Sequence, residues 1–341
     1  MPKPSRKKKI TQAPPPQPIS KTIDEAGRAR RIRFFIISVV VVIILIIAGA
    51  IYYQTTFAPF QQAVVSIDKT TISMDYFLKR TRISGISPTS VLQQIVDEQL
   101  IKIRAPDYGI TATPQEIDNA LLFTSSSQNI TGNLADNTTG RYLTESEFKT
   151  WYAGRLKSTG LTDAEYRDLT ATGILAAKLQ QYLASQVPTS AQQVHLNVVV
   201  TASSADALAA KARIQAGENF TAVAQDVSLD DKTRAQGGDI GWIPRGVLPY
   251  DDTLFALTTG IVSSPVAVNP SSSSTQYLLF MVSEKAALRP IDASVIQTLK
   301  DKALSNWFLQ ESPQHAITLV YDFNNAANQA WIDWQLSQIK H

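Results

Sequence analysis

Gln236-Gly237-Gly238-Asp239-Ile240-Gly241-Trp242-Ile243-Pro244-Arg245-Gly246 decides how this chain is read. Four glycines and a proline so close together break any helix and weaken a regular strand. The run reads as backbone held in tight turns, with Trp242 pinned against a core as a structural plug rather than a substrate contact. On either side, short β-branched segments alternate with helical ones. His195–Val200 reads as a strand, and 205–216 as an Ala-rich helix closed by Gly217. Phe220–Val227 reads as a second helix, and Asp251–Leu257 as a third, stopped by Gly260. Val262–Val268 and Tyr277–Val282 read as strands separated by a turn at Ser271–Ser274. Strands and helices mixed over about ninety residues define an α+β sheet unit.

The amino-terminal end is of another kind. The chain carries 32 Lys and Arg against 29 Asp and Glu. Ten of those basic residues and two of the acidic ones lie in residues 1–33, which leaves residues 34–341 at about −5. Phe34–Tyr53 follows, twenty residues without a charge. As a helix it spans about 30 Å, the thickness of a bilayer's hydrocarbon core. The basic cluster before it places the amino terminus in the cytoplasm and the remainder outside. Ala48-Gly49-Ala50 could serve as a signal-peptidase site. The long basic leader and long apolar run favour an uncleaved, single-pass anchor in the cell membrane. The acidic remainder excludes nucleic-acid binding. With no cysteine in the chain, disulfides, thiolate catalysis and Cys-based metal sites are excluded as well.

Between the span and the sheet unit the pattern is helical. Val91, Ile95, Val96, Leu100, Ile101 and Ile103 recur on one helical face that ends before Pro106. Thr113–Glu116, Thr144–Glu147 and Thr162–Glu165 are three capping boxes, each announcing a helix start. The helix after the third should be long, with Tyr166, Leu169, Leu175, Leu179, Tyr182 and Leu183 facing inward. Thr124–Gly140 is polar and reads as a surface insertion. Past the sheet unit, Ser294–Gln310 and 326–339 read as helices, the latter carrying Trp331, Trp334 and Ile339. These closing helices are expected to pack on the first helical segment. His315 and His341 stand isolated in the sequence, so no histidine metal cluster or Ser-His-Asp arrangement is expected.

From Val194 to Val282 the chain resembles the parvulins, the PpiC type of peptidyl-prolyl isomerase. The resemblance rests on Gly237–Gly246, Ala216-Gly217-Glu218-Asn219-Phe220, Leu248-Pro249-Tyr250-Asp251, Phe255-Ala256-Leu257 and Ser264-Pro265-Val266. The flanking helical segments resemble those of SurA, PrsA and PpiD type foldases, with loose motifs such as Gly109-Ile110-Thr111. The resemblance implies an organisation of basic tail (1–33), transmembrane helix (34–53), helical chaperone domain (54–190), inserted parvulin-like domain (191–288) and closing helices (289–341). It implies no cofactor and no metal, unfolded or proline-containing polypeptides as partners, and contact with the secretion machinery. It places the pocket's large apolar residue at Leu248, its aromatic at Tyr250, its central acid at Asp230, and Thr275 among the substrate-facing residues. The two histidines of active parvulins fall on Val198 and Leu278, and Gln276 replaces the glycine usual before the final tyrosine. His195, three residues from Val198 on a period-two strand, faces the other way. Two readings stay open: a prolyl isomerase working by apolar desolvation, and a holdase or dedicated assembly factor that keeps the parvulin fold as a groove.

Overall fold

The computed structural model describes residues 25–124, 141–142, 144–268 and 275–338. The basic tail up to residue 24, the polar insertion from residue 125 to Gly140, the Ser271–Ser274 turn, Ile339 and His341 lie outside the described residues.

Two units divide the chain, Met1–Gln62 and Ala63–His341. The first holds α1 (Glu25–Thr56) and the short α2 (Ala58–Gln61). Within α1, Arg33–Thr56 is long and apolar enough to cross a membrane, and none of it is buried against protein. Its carboxy-terminal end is aromatic. Tyr52 and Tyr53 hold the Phe57 ring at 5.8 and 6.3 Å.

The second unit opens with a hairpin, β1 (Ala63–Ile67) and β2 (Thr70–Ser73), which leads into α3 (Met74–Ser84) and α4 (Pro88–Arg104). Then come α5 (Pro114–Leu122), the paired β3 (Phe123–Thr124) and β4 (Arg141–Tyr142), α6 (Glu145–Thr159) and α7 (Asp163–Ser185). All three expected capping boxes form. The threonine hydroxyl accepts from the glutamate backbone N–H, and the glutamate carboxylate accepts from the Thr113, Thr144 or Thr162 N–H at 2.8, 2.9 and 2.7 Å. Along α7 the buried face is Tyr166, Leu169, Thr172, Ile174 and Leu179. Leu175 and Leu183 are half-buried and Tyr182 is exposed, because the face drifts around the helix over six turns.

The sheet unit consists of β5 (Ser190–Thr201), α8 (Ser204–Gln215), α9 (Phe220–Val227), α10 (Asp231–Arg234), β6 (Asp239–Pro244), α11 (Asp251–Ala256), β7 (Val266–Val268) and β8 (Gln276–Pro290). The four strands run antiparallel in the order β6-β5-β8-β7. One face carries Val199, Leu279 and Val262 under Ala207, Ala210, Phe220, Val223 and Ala224 of α8 and α9. The other carries Val194, Leu196, Val198, Val200, Phe280 and Val282, with Leu254 and Phe255 of α11. Burying each large aliphatic or aromatic side chain contributes about 1.5–3 kcal/mol.

The glycine run is not turn throughout. Its second half is the strand β6, paired to β5 from Gln193 to Asn197 with an irregularity between Leu196 and Asn197. The first half is the tight turn. Gly238 has φ +82°, and a Cβ there would lie 2.3 Å from the Val198 carbonyl oxygen. Only glycine lets this turn close on β5, where Val198 N–H donates to Gly238 O at 2.8 Å. Nor is Trp242 a core plug. It is half-buried, outside both apolar clusters, edge-on to His195 at 5.3 Å and beneath the Arg289 guanidinium at 4.6 Å. Of the expected strand Val262–Val268, only β7 and a single bridge from Val262 to Met281 form.

The chain closes with α12 (Ala293–Asp301), α13 (Ala303–Glu311), β9 (Ile317–Leu319) and α14 (Ala326–Ser337). The helix expected as one piece over Ser294–Gln310 is broken, and the cause is Gln180 of α7. Its amide accepts from Leu304 N–H at 3.2 Å and donates to Lys300 O at 2.7 Å, the two groups an unbroken helix would pair. Strand β9 returns to β1, giving a small sheet in the order β2-β1-β9. Helices α12 and α13 pack on α7, and α14 on α3. In α14 the buried residue is Ile332, while Trp334 is exposed.

Candidate functional site

Leu248 and Tyr250 belong to the loop between β6 and α11, and the fold brings them over the α11 face of the sheet. Both are half-buried. They pack with Leu278, Val266 and Ile240 around a buried floor that includes Val198, Val200, Ile243 and Phe280. Val198 lies opposite Phe280, and Val200 opposite Leu278. Val198 and Leu278 are therefore diagonal neighbours on one face. Val198 is 4% exposed and belongs to the floor, whereas Leu278 belongs to the rim. The result is a half-buried apolar rim over a buried apolar floor.

Asp230 and Thr275 are not part of that packed cluster. Asp230 sits beyond the end of β5, tied there because Leu229 N–H donates to Val200 O at 2.8 Å. Ser228 Oγ also accepts from Val200 N–H at 3.1 Å. Its carboxylate caps α10, accepting from Lys232 N–H at 3.3 Å and from the Thr233 hydroxyl at 2.7 Å. The acid is thus oriented by its own helix turn. Thr275, half-buried, precedes β8 by one residue beside the β7 pairing.

His195 lies off the cluster, with Val194 and Leu196 on either side facing it. The histidine surroundings differ from the sequence expectation. His195 Nδ1 lies 2.9 Å from Ser283 Oγ, and Nε2 lies 3.6 Å from Asp239 Oδ1. This grouping is no nucleophilic triad. The Ser283 hydroxyl also lies 3.3 Å from the His195 carbonyl, and the serine meets Nδ1 while the aspartate faces Nε2, 3.6 Å away and beyond hydrogen-bond reach. His315 is not isolated either. It bridges Asp68 at 2.7 Å and Glu311 at 3.2 Å. The Asp68 hydrogen bond holds the His315 pKa above its ordinary value, with burial opposing and Glu311 assisting. The Ser283 and Asp68 contacts are not visible in sequence, since those partners lie 88 and 247 residues away, whereas Glu311 is only four residues from His315.

An antiparallel four-stranded sheet thus carries two helices on one face and, on the other, an apolar cluster under the Leu-Pro-Tyr loop. Residues 199–280 match the rotamase family described as the PPIC-type PPIASE domain. Over longer stretches the chain is similar to curated proteins named as foldases and chaperones. It is 30% identical over 198 residues to foldase protein PrsA of Clostridium acetobutylicum, covering 52% of this chain and 55% of that one. It is 27% identical over 220 residues to periplasmic chaperone PpiD of Haemophilus influenzae, covering 60% and 34%. The match to the crystal structure of peptidylprolyl isomerase PrsA from Bacillus anthracis has 16% identity and a TM-score of 0.33, over 73% of this chain and 98% of that one. The chain thus spans about half, or less, of the length of these two curated relatives.

Proposed function

We propose that this chain is a membrane-anchored foldase whose parvulin-type domain binds prolyl segments of non-native polypeptides outside the cytoplasmic membrane and speeds their cis–trans isomerisation. The observation that carries the reading is the half-buried rim of Leu248, Tyr250 and Leu278 around the buried floor of Val198 and Phe280. The uncatalysed barrier of about 18–20 kcal/mol comes from amide resonance. The twisted amide of the transition state has lost that conjugation and part of its polarity. An apolar seat for the proline ring therefore favours it over either planar form. No proton has to move, so apolar residues at Val198 and Leu278 are compatible with turnover. Asp230 is the polar group at the end of the site, and Thr275 contributes to the substrate-facing edge.

The remaining assignments belong to the same reading. Residues 54–190 and 289–341 form the helical chaperone part around an inserted domain at 191–288. The packing of α12 and α13 on α7 supports that arrangement. Phe34–Tyr53 anchors the chain in a single pass, with residues 1–33 cytoplasmic. Support comes from the exposed apolar helix and the Tyr52, Tyr53 and Phe57 cluster at its end, since such residues favour a membrane interface. The word periplasmic in the name of one relative points the same way. An anchor at this membrane also places the chain where the secretion machinery releases clients.

The test uses the full-length chain in detergent micelles and proline tetrapeptides with varied preceding residues. Acceleration that Leu248→Ala, Tyr250→Ala and Asp230→Ala each reduce is the expected result. A wild-type chain that leaves the rate untouched while still retaining denatured protein is a holdase, and the isomerase reading fails.

A further inference from the structure

The loop that carries Leu248 and Tyr250 is gripped from outside the matched domain. Two consecutive backbone carbonyls of the loop, Gly246 and Val247, accept hydrogen bonds from the closing helices. Asn306 Nδ2 donates to Gly246 O at 2.9 Å, and Lys302 Nζ donates to Val247 O at 2.7 Å. The donors are four residues apart, on either side of the start of α13, so they present one face to the loop. The contact is close enough to exclude a side chain on the loop. Gly246 has φ +90°, and a Cβ there would meet Asn306 Nδ2 at 2.9 Å and Leu299 Cδ2 at 3.1 Å. Inside the loop, Gly246 N–H donates to Asp251 at 2.7 Å, which fixes the same residue from the α11 side.

The gripping face is itself set by α7. Gln180 splits α12 from α13 by taking both the Lys300 carbonyl and the Leu304 N–H. That break falls on either side of Lys302, whose own backbone still pairs with Thr298 and Asn306 while its ammonium group reaches the loop. A continuous set of contacts therefore runs from Gln180 through the α12–α13 junction to Gly246 and Val247, and on to Leu248 and Tyr250.

We infer that Lys302 and Asn306 are positioning residues: they hold the loop Arg245–Tyr250, so the packing of α7, α12 and α13 sets where Leu248 and Tyr250 stand over the sheet. The functional consequence rests on the prolyl-site reading above; the mechanical statement does not. Without these two bonds the loop keeps its apolar side chains but loses its external restraint. Its rim then samples positions that fit a proline ring less well, which weakens binding rather than altering the rotation step.

Hydrogen exchange and proline-peptide kinetics on the full-length chain in micelles test this together. In Asn306→Ala and Lys302→Ala, exchange across residues 245–250 is expected to rise roughly two- to tenfold, the loss of one net hydrogen bond. Exchange in β5 and β8 stays as in the wild type. KM for the peptides rises over a similar range with kcat little changed. Asn306→Asp, which keeps the shape but cannot donate, behaves as Asn306→Ala, and Lys302→Arg restores wild-type exchange. Unchanged loop exchange in both alanine variants overturns the inference whatever the peptides do, as does wild-type behaviour of Asn306→Asp. A wild-type chain that neither binds nor turns over proline peptides sinks the prolyl-site reading alone, because loop exchange still decides the restraint.

Discussion

The rings of Tyr250 and Phe280 lie 5.3 Å apart at an angle of 45°, Phe280 buried in the sheet and Tyr250 half-exposed above it. Tyr250, from the loop, makes one wall of the apolar site over the floor that Phe280 supplies from its strand. Truncating Tyr250 to alanine removes the wall while the floor remains. We expect kcat/KM on proline peptides to fall roughly tenfold or more, the scale of one lost large apolar contact. Tyr250→Phe keeps most of the activity because the ring supplies the contact. Equal activity of the alanine variant and the wild type would place the site elsewhere.

Gly238 closes the glycine turn onto Val198. Gly238→Ala puts a methyl group into the Val198 carbonyl at φ +82°. The backbone strain alone costs about 1–3 kcal/mol, before the clash is counted. Thermal unfolding of the variant should show a marked loss of stability. The comparison is Gly49→Ala, where no atom lies within 4 Å and the glycine is helical. A Gly238→Ala variant as stable as Gly49→Ala contradicts the turn geometry.

Arg80 carries a charge inside the helical part, 1% exposed, paired through both terminal nitrogens to Glu98 at 2.5 and 2.8 Å. Tyr76 accepts a third bond at 3.1 Å. Burial opposes the charge, and the Glu98 contacts outweigh that and raise the Arg80 pKa. Arg80→Ala leaves Glu98 without its partner and is expected to destabilise by about 3–5 kcal/mol. The double variant Arg80→Met, Glu98→Leu should lose much less. Denaturant titration separates the two, and equal losses would refute the buried-charge argument.

His315 links the β1–β2 turn to the closing segment, since Asp68 also accepts from Ala316 N–H at 3.0 Å. The His315 pKa is raised above 6.5, so its stabilisation is complete below about pH 6.5 and is lost as pH rises through the raised value. Asp68 is depressed below 3.8, chiefly by the His315 hydrogen bond. Its share is present above about pH 3.8 and is lost as pH falls through the depressed value. Wild-type Tm should therefore decline on raising pH above about 6.5, and His315→Gln should flatten that slope. An identical slope in the variant sinks the assignment.

Sequence reasoning read correctly the features whose partners are near in the chain. A capping box joins residues three apart, so Thr113, Thr144 and Thr162 announced α5, α6 and α7 without any tertiary knowledge. Helix α9 begins and ends where Asn219 and the apolar spacing place it. The apolar run of α1 needs only its own composition. The third strand β9 was not legible, because β1 acquires it from residues some 250 positions later, and the local hairpin β1–β2 turns at Asp68-Lys69 without the glycine that usually marks such a turn.

For the site, the Leu-Pro-Tyr loop and the apolar character of Val198 and Leu278 were legible by themselves. Their sorting into floor and rim was not, because burial depends on β5, β8 and α11 meeting. The same holds for β6, a glycine-bearing stretch that becomes a strand only because β5 supplies its hydrogen-bond partners. It holds again for the break at Lys302, where Gln180, more than a hundred residues earlier, replaces the helix's own bond. Contacts within four residues are set by backbone geometry and side-chain type. The sequence alone therefore determined the caps, the apolar helix and the alternation of the sheet unit. Contacts between distant segments depend on which surfaces the collapsed chain presents to one another, so tertiary structure alone decided the rim, the histidine bridges and the grip on the loop.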